Sequence, residues 1–363
     1  MWSSTAAASP AEPGTARTRS PYIDTLRAAA IVRVFLQHTA PLGALTTLLP
    51  AMWVMFGLAG YLTAVSLRRG GAARTVRSRV RRLLPPLWML AAVAVPLMLL
   101  HGWHPFVWTD LIPWVFPLVN PPGSEWGAAF VITLWYLRVY LWFVLLSPLL
   151  WWLFQRAPVA TLLTPLATAV LLSTAVTLPG SRIGDVVWST AAYGTAWVLG
   201  YARESGLLDR LTWPVCLAAA GSLGAAALLR AATDLDGLQD PLVPVLWGTA
   251  VVLVALRARP KLAWVTAVEP VRRAVALLNA RAVTVYVWQL PMIALGTWLL
   301  GALAGPPLLT IAVGAVLTLG AVLCFGWVED LAAKRPPSLV PAVPAAPGGA
   351  VARVPVPSRV PAA

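Results

Sequence analysis

Two residues able to do chemistry stand in the first apolar stretch, LRAAAIVRVFLQHTA over residues 26–40: Arg27 and His38. A charge or an imidazole inside a membrane helix is costly, so such a residue marks a functional site by default. At about 100° per residue, the step between them closes about three turns with about 20° left over. The two side chains therefore share one face, about 16 Å apart along the axis, while Arg33 points roughly 120° to 140° away. Histidine is the side chain whose ordinary pKa lies nearest neutrality, which suits it to take a proton from a hydroxyl attacking a carbonyl. A guanidinium offers paired hydrogen bonds to phosphate or carboxylate. A cation near one membrane surface and an imidazole deeper in would serve a single elongated substrate. The bland alternative for His38 is a core histidine satisfied by a neighbouring backbone carbonyl.

The elements that must position this pair follow from composition. In 363 residues, 59% are hydrophobic and 11% charged, far from the balance of a soluble globule. An all-α polytopic membrane protein is expected. Apolar runs long enough to cross a core of about 30 Å fall near 24–44, 50–67, 83–101, 128–154, 158–178, 186–202, 212–230, 241–256, 282–302 and 307–328. This predicts ten helices in one bundle over 22–330, between a disordered tail at 1–21 and a Pro/Ala-rich disordered tail at 331–363. The stretch 104–122 carries interior prolines and Asp110 and reads as a loop with an interfacial segment, with Trp103, Trp108 and Trp114 at headgroup depth.

The net charge of +14 reflects loops rather than a nucleic-acid surface, and no nucleic-acid partner is expected. Arg68, Arg69, Arg74, Arg77, Arg79, Arg81 and Arg82 follow the second span, and Arg257, Arg259, Lys261, Arg272, Arg273 and Arg281 follow the eighth. Loops of the other parity carry Asp110, Glu125, Asp185, Asp234, Asp236 and Asp240. Positive charge on the inside then puts both termini in the cytoplasm. Cys216 and Cys324 lie in apolar stretches and read as small buried hydrophobes. His101 and His104 sit at i, i+3 without an evident third ligand, so no metal is expected. Arginine over lysine, with abundant Ala and Pro, suggests a GC-rich genome and a bacterial plasma membrane.

Arginine, ten residues and histidine, introduced by Asp24-Thr25-Leu26, resembles the signature of the acyltransferase-3 family of integral membrane O-acyltransferases. Further motifs follow in order. Gly60-Tyr61-Leu62, with Ala59 in a serine position, resembles the family's second-helix motif. Arg79, Arg82 and Pro85 match its Arg-x-x-Arg entering the third helix. Thr133–Leu150 resembles a Leu-Trp-Phe-Leu element through Trp135 and Tyr136, with Tyr140 and Leu141 where glutamates would stand. Arg138 in that helix either snorkels to the outer interface or faces inward to pair or orient a substrate. Tyr286, Trp288 and Pro291 match a late Tyr-Leu-Trp-His-x-Pro element in which Gln289 replaces histidine. Glu329 falls near the family's closing Glu-Arg-Pro, a poor match.

The resemblance implies transfer of an acyl group, often acetyl, from acyl-CoA to a hydroxyl of a surface glycan, glycolipid or exported metabolite. His38 would be the general base and Arg27 the donor-binding or orienting group, with Asp24 pairing to Arg27. Arg79 and Arg82 would hold the donor's phosphates, and Arg138, Trp135, Tyr136, Tyr286 and Gln289 would contact substrate. A glutamine amide hydrogen-bonds but accepts no proton near neutral pH, so proton transfer would fall to His38. Two other readings share these features: a transporter or flippase of lipid-linked sugars, which would show an internal repeat of broken helices, and an inactive scaffold of the same fold.

Overall fold

The computed structural model describes residues 20–40, 43, 48–176, 182–233, 240–303 and 306–341. Most of the two predicted tails, together with Asp234 and Asp236, lies outside the described residues. Those described are almost all helical, with no strand among them. A long helix falls at each expected span: α1 Pro21–Thr39, α2 Ala51–Gly70, α3 Ala72–Leu100, α4 Leu134–Arg156, α5 Pro158–Thr174, α6 Arg182–Glu204, α7 Trp213–Thr233 and α8 Leu242–Arg257. The amphipathic α9 Glu269–Ala280 follows, then α10 Ala282–Leu300, α11 Pro307–Phe325 and the short α12 Trp327–Ala332.

Six of these are long and apolar enough to cross a membrane: α2, α3, α4 with its leading turn from Ala128, α7, α10 with its closing turn to Leu303, and α11. The apolar α5 and α8 are shorter. Helix α1 carries Asp24, Arg27 and Arg33, and α6 carries Arg182, Asp185, Arg203 and Glu204. The charges of α1, and in α6 its Trp, Tyr, Ser, Thr and Gly residues, dilute the apolar signal.

Small residues set the tightest crossing. A Cβ at Gly60 would lie 2.1 Å from the Trp197 carbonyl oxygen, and one at Gly200 would lie 2.3 Å from both the Gly57 oxygen and the Tyr61 nitrogen. Helices α2 and α6 thus meet backbone to backbone, the close approach that small residues permit in membrane bundles. Arg68 and Glu204 pair at 3.2 Å at the ends of the same two helices. Gly71, at φ 74°, turns the chain from α2 into α3 in a conformation that favours glycine.

Around this crossing an aromatic core gathers Phe56, Tyr136, Phe143, Tyr193 and Trp197; Phe143 stacks on Trp197 with centroids 4.9 Å apart. The segment 104–122 folds as a 3-10 turn at Trp108–Leu111 and a helical turn at Ile112–Val115. Trp103 and Trp114 are buried against the bundle rather than turned to headgroups, and the Trp114 indole donates to the Pro122 carbonyl at 3.0 Å. Trp108 alone of the three is exposed. Cys216 is buried, whereas Cys324 is exposed on α11; the apolar stretch holding it presents much of its surface outward.

Candidate functional site

The site begins on α1. Its N-terminal end is anchored from two sides: the Tyr22 hydroxyl donates to the Ala255 carbonyl at 2.8 Å, and the Asn279 amide to the Asp24 carbonyl at 2.8 Å. Between Arg27 and His38, on the same face at i+4 and i+7, stand Ile31 and Val34. These two line an enclosed cavity of about 10 Å³ with Met52 and Met55 of α2, Tyr136 of α4, and Tyr286 and Gln289 of α10. That volume accepts one water-sized group. Three residues singled out in sequence, far apart along the chain, therefore meet against the Arg27–His38 face.

At one end of this face the Arg27 guanidinium forms no hydrogen bond and no ion pair among the described residues, and Asp24 does not pair with it. It lies within electrostatic range of Tyr136 and Glu329. Arg79 also acts on Tyr136 and donates to the Tyr140 hydroxyl at 3.1 Å and to Ser66 Oγ at 3.4 Å. Tyr140, which stands where the resemblance places a glutamate, thus accepts from Arg79. Arg82 is exposed beside Arg79, Arg81 and Arg335 and forms no hydrogen bond or ion pair among the described residues. This basic end has free guanidinium hydrogen-bonding capacity for an anion.

At the other end His38 is exposed at the last turn of α1, nearer the helix terminus than an imidazole set deep in the bundle. Its Nδ1 lies 2.8 Å from the Val34 carbonyl. A carbonyl only accepts, so Nδ1 carries the hydrogen of the neutral ring, and Nε2 is left with its lone pair available to take a proton. The backbone bond expected of a bland core histidine is present, and it is the bond that selects the tautomer a base requires.

Gln289 is 1% exposed, and its Oε1 has no hydrogen-bond partner among the described residues. A buried amide oxygen without a donor costs free energy, about 1 to 3 kcal/mol, which a substrate or water hydrogen in the cavity would recover. Tyr286 is committed, donating to the Thr133 carbonyl at 2.7 Å, and so braces α10 against the start of α4.

Arg138 and Trp135 lie away from the cavity lining. Arg138 is 3% exposed and does not snorkel; Nη2 donates to Ser189 Oγ at 2.9 Å, Asp185 is in electrostatic range, and Nε has no partner among the described residues. Trp135 stacks on Tyr193 at 5.6 Å. Arg33, turned from the site as the helical angle requires, bonds Gln37 on its own helix. His101 stacks on Trp126, with centroids 3.9 Å apart.

Sequence reasoning missed the cluster that closes the basic end. Arg281, fully buried, donates from Nη2 to Asp330 Oδ2 at 2.7 Å and to the Ser338 carbonyl at 2.6 Å. Asp330 also pairs with Arg335 at 3.1 Å. Glu329 accepts from the Thr284 amide at 2.6 Å in the first turn of α10. Read along the chain, Arg281 is one more cation in a basic loop; the signal that could have separated it was the Glu329-Asp330 pair just after the last apolar run.

A family model for an acyltransferase domain, acyltransferase 3, matches residues 20–327. Comparison with curated proteins and with solved structures gives no match. The matched span holds both Arg27 and His38 and every helix that lines the cavity, and the chain accordingly belongs to the acyltransferase-3 family and is an acyltransferase.

Proposed function

We propose that the protein transfers an acyl group, acetyl in the simplest case, from acyl-CoA to a hydroxyl of a surface glycan, glycolipid or exported metabolite, across a ten-helix bundle with both termini in the cytoplasm of a bacterial cell. One observation carries this reading: a single face of α1 joins Arg27, whose guanidinium is unpaired among the described residues, to an imidazole with Nε2 open, past a cavity holding an amide oxygen that also has no partner among them. The donor's phosphates bind at Arg27, Arg79 and Arg82. The thioester end extends along Ile31 and Val34 toward His38, with Tyr136 and Gln289 beside it. The acceptor reaches His38 from the opposite membrane face.

His38 Nε2 takes the hydroxyl proton as the acceptor oxygen forms its bond to the thioester carbonyl carbon. The carbon–sulfur bond then breaks, and the coenzyme A sulfur takes the proton from the imidazolium. Arg138 holds α4 to α6 in this reading and contacts no substrate. The single-repeat order of the motifs and the acyltransferase family favour this over transport of a lipid-linked sugar, and an Nε2 left open favours it over an inert scaffold.

The test is transfer of labelled acetyl from acetyl-CoA by membranes carrying wild type, His38→Ala or Arg27→Ala, measured beside cell-surface ester. Loss of labelling in both variants at unchanged protein level is expected. Labelling that persists in His38→Ala removes the general base from the reading, and a wild type that labels nothing removes the reaction.

A further inference from the structure

The arginines at the basic end of α3 divide between two faces. At about 100° per residue, Arg77 and Arg81 lie about 40° apart, and each stands about 160° from Arg79. Arg79 turns into the bundle, where it donates to Tyr140 and Ser66. Arg77 and Arg81 turn the other way, onto an open groove of about 540 Å³ that they line with Val76, Val80, Leu84 and Trp88. The groove is thus separate from the face that carries Arg79, and Arg82 does not line it.

This groove is cationic at one end and apolar along the rest. Arg77 is exposed and forms no hydrogen bond or ion pair among the described residues. Arg81 is tethered through Nε to the Ala332 carbonyl of α12 at 3.1 Å, and its two Nη groups have no partner among the described residues. Beyond them Val80, Leu84 and Trp88 follow one another at successive turns of one apolar stripe. Trp88 closes the far end: its indole donates to the Val115 carbonyl at 2.8 Å, while the residue stays 46% exposed. From Arg77 to Trp88 the helix rises about 16 Å, close to one leaflet, half of a hydrocarbon core of about 30 Å. The same helix is long and apolar enough to cross a membrane.

A soluble anion would satisfy the two guanidinium groups and leave the apolar lining uncovered. An acyl chain alone would cover the lining and leave the cations without a counter-charge. A lipid with a phosphate headgroup does both. We propose that the groove binds an anionic phospholipid of the leaflet at the basic end. Its phosphate rests between Arg77 and Arg81, and one acyl chain lies along Val80 and Leu84 to Trp88. The site is independent of how the donor is held, because neither arginine takes part in the transfer reaction.

The test uses the full-length protein in an uncharged detergent with phosphatidylglycerol carrying a photoreactive group on one acyl chain, and maps the labelled peptides by mass spectrometry. Labelling of α3 near Trp88 is expected, displaced by unlabelled phosphatidylglycerol at lower concentration than by phosphatidylcholine. Arg77→Gln should weaken labelling about fivefold, the worth of one arginine beside an anionic lipid, and Arg77→Lys should keep most of it. The control is Arg69→Gln, which removes the same charge from an exposed arginine at the end of α2, outside the groove, and should leave labelling unchanged. Neither arginine has a partner to lose among the described residues, so lost labelling reports the groove and not unfolding. Equal losses in Arg77→Gln and Arg69→Gln, or equal displacement by the two lipids, overturn the site in favour of diffuse attraction. Displacement by inorganic phosphate or coenzyme A in preference to lipid overturns the lipid as occupant, and a wild type unlabelled on α3 overturns the proposal outright.

Discussion

Replacing Gly60 by alanine should open the crossing of α2 and α6, and the cost follows from the contact geometry. The new methyl would lie 2.1 Å from the Trp197 oxygen, 2.9 Å from its carbonyl carbon and 3.1 Å from its Cα. All three are backbone atoms, so no rotamer relieves the clash, and the helices must part by about 1 Å. A gap of that size forfeits about a quarter to a half of the dispersion energy of each contact along the crossing. Overpacking costs about 1 to 3 kcal/mol in well-packed interiors; with backbone on both sides the upper end is expected here. The effect should reach the site as well, because α2 also carries Met52 and Met55 on the cavity wall. Thermal melting in detergent reads the first consequence, and acetyl transfer the second. Gly221→Ala is the control: its Cβ would meet nothing within 4 Å, and in a helix interior alanine is favoured over glycine by about 1 kcal/mol. A Gly60→Ala protein that melts with wild type while Gly221→Ala does not destabilise would refute the close crossing as the basis of the bundle.

Other outcomes follow from the buried charges. Asp330→Asn leaves the fully buried Arg281 without its counter-ion and should cost about 3 to 5 kcal/mol, seen as a lowered melting temperature. Glu329, whose carboxyl is raised above its ordinary 4.5, contributes stability that is full below that value and is lost as pH rises through its folded pKa. Glu329→Gln should therefore melt above wild type at neutral pH, with the gap closing toward pH 4; a gap independent of pH would contradict the assignment. Arg138→Met removes a buried cation that hydrogen-bonds Ser189. It should fold with unchanged or higher stability, as apolar replacement of buried charge often does, and should retain transfer; loss of transfer at full stability would return Arg138 to the site.

What the sequence made legible, and what it hid, divides along physical lines. Ten apolar runs read as helices because in lipid the backbone must bond within the segment; the described residues place a helix at each, and six of these are long and apolar enough to cross a membrane. The shared face of Arg27 and His38 was legible because helical angle is arithmetic, and Ile31 and Val34, at i+4 and i+7 from Arg27, line one cavity. Convergence of Tyr136, Tyr286 and Gln289 on that face was suggested only by their order in a family motif, since no local rule says which helices touch. The fate of Arg138 was open because its helix has polar options at two depths, and only the packing of α6 supplies Ser189. The cluster of Arg281, Glu329 and Asp330 was hidden for a different reason. Its charges sit just outside apolar runs, where cations serve topology and acids go unnoticed, and their meaning depends on a turn at Gly326 that brings the chain back under α10. A basic loop alone does not say why Arg27 has no hydrogen bond or ion pair among the described residues while Arg281 is held by Asp330 and Ser338. That asymmetry separates the guanidinium that holds the structure from the one that the proposed reading assigns to an anion.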